Sequence, residues 1–78
     1  MQPIEVTARF EANGEIHPLQ FIWHEQVYNV LSTGRRWQDE TGLHILVMAA
    51  GERVFELIFQ PDGARWFLKT PTASARPA

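Results

Sequence analysis

Arg35-Arg36-Trp37, with Arg65-Trp66-Phe67 and Lys69 further along the chain, is the one group of residues whose types carry a mechanism. Aromatic faces stack on bases and guanidinium groups pair with phosphate, the combination small barrels use on single strands. The same residues have a plainer use. Trp37 and Trp66 are large apolar groups that a small core needs, and arginine stems lie over aromatic edges for packing alone. Seven Lys and Arg against nine Asp and Glu leave a formal charge of -2, which argues against gripping nucleic acid by bulk electrostatics. Distribution softens that argument. Glu11, Glu15, Glu25, Asp39, Glu40, Glu52 and Asp62 fall in turn sequences, whereas Arg9, Arg35, Arg36, Arg65 and Lys69 lie in or beside strands, so a local basic patch is compatible with the acidic total.

Other chemistry finds less support. His17, His24 and His44 show neither His-x-His nor His-x-x-x-His spacing, and with no cysteine a metal site would need long-range convergence with an acid such as Glu25. Ser32 and Ser74 stand outside any Gly-x-Ser-x-Gly elbow, and Asp39-Glu40 occupies a turn that its glycine already explains. A domain this small rarely has room for a pocket of a few hundred Å³. No catalytic residue, cofactor or metal is expected, and the chain reads as a non-enzyme.

The elements that would position these groups are strands. Leu43–Met48 and Val54–Phe59, joined by Ala49-Ala50-Gly51-Glu52-Arg53, form a central hairpin: Phe55, Leu57 and Phe59 alternate with Val54, Glu56 and Ile58, a period that a strand places on opposite faces. A helix over the same span would be apolar all round and meet Gly51 in mid-turn, at a cost of about 1 kcal/mol. Ile4, Val6, Ala8 and Phe10 alternate with Glu5, Thr7 and Arg9 in a first amphipathic strand, and Asn13-Gly14 predicts a type I′ turn after it. Leu19–His24 and Val27–Ser32 follow. Gly34 predicts a bulge or sharp bend before Arg35–Gln38, which would let one strand serve two faces of a barrel. Asp39-Glu40-Thr41-Gly42 and Gln60-Pro61-Asp62-Gly63 are turns, and Arg65–Lys69 is the sixth strand.

Six strands with short connections imply an all-β antiparallel meander, curled into a small SH3-like barrel or half-barrel that covers its edges. Residues 1–69 form one domain, and 70–78, with nothing large and apolar to bury, read as a disordered tail. Hydrophobic residues make up 45% of the chain, three Trp and five Phe among them, so aromatic burial must hold a core that no disulfide supports. Net stability for 78 residues falls at about 4 to 12 kcal/mol. No apolar run approaches the roughly 20 residues of a membrane span and none resembles a signal peptide, so the cytoplasm is the default location.

The succession Phe21-x-Trp23, Tyr28-x-Val30, Arg36-Trp37, Val54-Phe55-Glu56-Leu57 and Arg65-Trp66-x-Leu68 resembles a group of uncharacterised small bacterial all-β domains of unknown function. The resemblance spans residues 4 to 69 and implies architecture alone, since the shared positions are aromatic and aliphatic; no catalytic residue carries over. Alternation also leaves Ile22, Val54, Ile58 and Phe67 on the outer face, to be covered by barrel curvature or by another chain. The expected function is therefore a non-enzymatic interaction module that self-associates or docks to a protein through these four residues. The alternative is a nucleic-acid accessory module using Arg35, Arg36, Trp37, Arg65 and Lys69.

Overall fold

The computed structural model describes residues 2–69, and the tail expected over 70–78 lies outside the described residues. Seven strands form one antiparallel sheet: β1 (Gln2–Phe10), β2 (Ile16–Trp23), β3 (Gln26–Asn29), β4 (Ser32–Asp39), β5 (Gly42–Ala49), β6 (Arg53–Gln60) and β7 (Arg65–Lys69). Their order is β3-β2-β1-β7-β6-β5-β4. This is a meander whose first and last strands pair, with Gln2 opposite Leu68 and Ile4 opposite Trp66, so the sheet curls into a half-barrel.

The seventh strand comes from a division the sequence does not announce. The run expected to bend at Gly34 changes partners four residues earlier: the Val30 amide donates to the Leu19 carbonyl at 2.9 Å and the Leu31 amide to the Met48 carbonyl at 2.7 Å. Successive amides of an extended chain point to opposite sides. One residue therefore holds β2 and the next holds β5. Gly34 does form the expected bulge, since Thr33 faces Val47 and Arg36 faces Ile45, leaving one extra residue on β4.

The type I′ turn expected at Asn13-Gly14 is absent. Asn13 accepts the Glu15 amide on its side chain at 2.9 Å, and the Gly14 amide donates to the Glu11 carbonyl at 2.9 Å. Only Gly14 takes a positive φ, 95°, which makes a longer loop closed by a left-handed glycine. The two-residue loop with both φ positive lies instead at His24 (53°) and Glu25 (62°), between the paired Trp23 and Gln26.

The inner face holds the core: Phe21, Ile45, Val47, Ala49, Phe55, Leu57, Phe59, Trp66 and Leu68. Phe55 is its pivot, with the Phe21, Tyr28 and Trp23 rings at 5.1, 5.3 and 5.7 Å. Edge-to-face contacts of this kind add to the area they bury. Register fixes the opposite, outer face: Trp37 faces His44, His44 faces Ile58, and Ile58 faces Phe67. No helix among the described residues is long and apolar enough to cross a membrane.

Candidate functional site

The outer face of β4–β7 carries the chemistry of this chain, and it is built around a residue that spacing rules pass over. His44 is 6% exposed. Its Nδ1 lies 2.6 Å from Glu56 Oε2, and its Nε2 lies 3.0 Å from Asp39 Oδ1 and 2.8 Å from Thr41 Oγ1. The Trp37 ring stacks on it at 5.0 Å and 16°. Hairpin register puts His44 and Glu56 on one face of neighbouring strands, and the tight β4–β5 turn brings Asp39 and Thr41 back over the ring.

Thr41, His44 and Glu56 have the outline of a nucleophile, base and orienting acid. Asp39 enters the same network. Its Oδ1 accepts from the Thr41 hydroxyl at 2.7 Å and from the Thr41 amide at 2.8 Å, so the hydroxyl proton is already committed. Carboxylates only accept, and each ring nitrogen faces one, so the imidazole is held from both sides. The cluster is a clasp that ties the β4–β5 turn to β6.

Thr41 also sets the acidity of Asp39. The hydroxyl of Thr41 and then its amide stabilise the ionised carboxylate, each by more than desolvation costs it, and with a smaller contribution from His44 they hold its pKa down at about 2, from an ordinary 3.8. Because the folded value is the lower one, this contribution to stability is complete above about pH 4 and is lost as the pH falls toward 2. Thr41→Val is expected to return the Asp39 titration toward its ordinary value and to remove that part of the acid limb. Carboxyl-carbon NMR shifts alongside acid unfolding check both.

The structure disperses the expected basic surface. Arg35 lies over the Trp37 ring at 5.3 Å, so those two stay together on the outer face. Arg36 turns inward, in the row of Ile45, Leu57 and Leu68, and its Nη1 donates to the Ile16 carbonyl at 2.9 Å. The expectation that Arg36 sits on a nucleic-acid surface is thereby corrected: neighbouring strand residues face opposite ways, and this one bonds the free edge of β2. Arg65 and Lys69 are exposed on β7, separated from β4 by β6 and β5, with Lys69 opposite Glu56.

The four outer apolar residues also part company. Ile58 is 1% exposed between His44 and Phe67, so the chain itself covers it and the expectation of Ile58 as a contact residue is corrected. Ile22 and Phe67 are half-buried, and Ile22, on β2, is separated from the clasp by β1 and β7. Val54 stays 48% exposed. It joins Met48, Leu46 and the bulge at Gly34 around an open apolar groove of about 210 Å³, beside a 63% exposed Leu31. A second cleft, about 350 Å³ and polar, lies between the β4–β5 and β6–β7 turns.

Compared with protein families, curated proteins and solved structures, the chain matches none. Among the described residues no three His, Cys, Asp or Glu side chains converge as a metal site. The hairpin register alone places His44 and Glu56 as neighbours on one face. Leu31 and Met48 meet only because the chain changes partners between Val30 and Leu31, on its way from β3 into β4, which no local pattern signals.

Proposed function

We propose that this chain is a non-enzymatic interaction module of the cytoplasm, which docks a polypeptide segment through one large apolar side chain seated in the groove between Gly34, Leu46, Met48 and Val54. The groove itself carries the reading. It is lined almost wholly by apolar atoms, about the size of one large side chain, and left uncovered by a chain that buries Ile58 on the same face. Contiguous exposed apolar surface usually marks a contact site, and a flexible methionine at its wall suits adaptable recognition. The clasp around His44 supports the same reading, since it stiffens the sheet from which the groove is cut.

Selection of a displayed peptide library on the immobilised chain tests it. Enriched peptides are expected to share an apolar anchor and to bind Val54→Asp at least tenfold more weakly, while the melting temperature of that variant stays at the wild-type value because Val54 is exposed. Selection without an enriched family, or peptides indifferent to Val54→Asp, ends the proposal.

A further inference from the structure

We infer that β4 is a self-pairing edge, and that two copies of this chain join antiparallel along Arg35–Asp39 about a two-fold axis at Trp37. This goes beyond the groove and uses a different surface, so each stands or falls separately. β4 is a terminal strand of the sheet and pairs only with β5. Its other side presents unpaired amide and carbonyl groups, a template for a further strand. Apart from Arg36 and Trp37, both half-buried, every residue of β4 is exposed.

The sequence of the edge chooses its own copy. Placing Trp37 opposite Trp37 of a second copy sets Arg36 against Gln38 and Arg35 against Asp39, each pair twice. Trp37 and Arg35 share the outer face. The register therefore makes an aromatic cross-strand pair at the axis with an Arg–Asp pair on either side, the combinations that stabilise antiparallel neighbours. Asp39 uses one carboxylate oxygen, Oδ1, for Thr41 and His44, which leaves Oδ2 for the Arg35 guanidinium of the second copy. A shift of one residue would break every one of these matches.

Pairing stops where the structure stops it. The bulge at Gly34 ends the ladder on one side and the Glu40-Thr41 turn ends it on the other. An isologous contact uses the same edge of both copies, so the assembly closes at two. The opposite edge, β3, has four residues, too short to carry growth into a fibre. A five-residue ladder is small beside a standard interface, so the dimer belongs to the weak, exchanging class.

Sedimentation of the full chain from micromolar to millimolar concentration tests the pairing. A dimer is expected, with Arg35→Glu raising its dissociation constant at least tenfold by placing Glu against Asp39. Asp39→Lys alone should do the same by placing Lys against Arg35, and an equimolar mixture of the two variants should dimerise again, because the mixed pairs are once more opposite in sign. Thermal melts of each variant show whether it is folded, and Arg35→Glu, at an exposed position, decides the matter if Asp39→Lys is not. Sedimentation of the wild type as a monomer throughout overturns the pairing and leaves the peptide selection to judge the groove. A dimer indifferent to Arg35→Glu, or variants that stay apart on mixing, overturns it as well.

Discussion

Replacing Gly42 with alanine is expected to lower the stability of this chain by about 3 kcal/mol or more, a large share of the roughly 4 to 12 kcal/mol available to 78 residues. Two causes act together. Gly42 sits at a φ of 137°, a region that side chains rarely enter and that costs about 1 to 3 kcal/mol. A Cβ there would also lie 2.4 Å from the Phe59 carbonyl oxygen and 3.2 Å from its carbon, so backbone of β6 would have to give way. That strand lies between β5 and β7 and carries Glu56, and the turn before Gly42 carries Asp39 and Thr41. Denaturant unfolding should show a lowered midpoint, and the Asp39 carboxyl should titrate nearer to its ordinary range. Gly51→Ala is the control: its φ of 80° is also positive, but the nearest atom to a Cβ is the Arg53 side chain at 3.8 Å. Its loss should be about 1 kcal/mol, conformational strain without the clash.

That contrast shows where local pattern informs and where it is silent. The turn over Asp39–Gly42 and the pairing of Leu43 with Phe59 follow from alternation and turn chemistry, both properties of a few adjacent residues. Curling was also foreseeable, because an apolar face this rich in aromatics needs covering. The change of partner at Val30-Leu31 was not, since Val27–Ser32 alternates smoothly through it and only the competing demands of β2 and β5 decide the point. Period two likewise says that His44 and Ile58 face away from Ile45 and Leu57, but not that the outer face covers its own. Trp37, Glu56 and Phe67 do that, and they come from three different strands. The clasp is thus a tertiary fact whose parts lie in different stretches of sequence, with no motif to announce it.

Removing the centre of that clasp while keeping its rim gives the second large effect. His44→Leu preserves bulk beneath Trp37 but withdraws the ring's polar contacts with Glu56 and Asp39, so Glu56, with its side chain only 17% exposed, keeps a carboxylate facing an apolar group. Stranding one charge of a fully buried pair costs about 3 to 5 kcal/mol. Two features reduce it here. Asp39 is 48% exposed on its side chain and keeps the Thr41 hydroxyl and amide, while Glu56 is itself partly exposed and keeps some solvation. A loss of about 2 to 3 kcal/mol is therefore expected in chemical denaturation. The double variant His44→Leu with Glu56→Leu should recover to within about 1 kcal/mol of wild type, because it removes the stranded charge along with its partner and leaves apolar contact between β5 and β6. Recovery would show that the imidazole and its acid specify an arrangement the apolar pair holds as firmly. A double variant as unstable as the single one would instead mean that the buried hydrogen bonds stabilise the outer face outright, and the clasp would then be a second core.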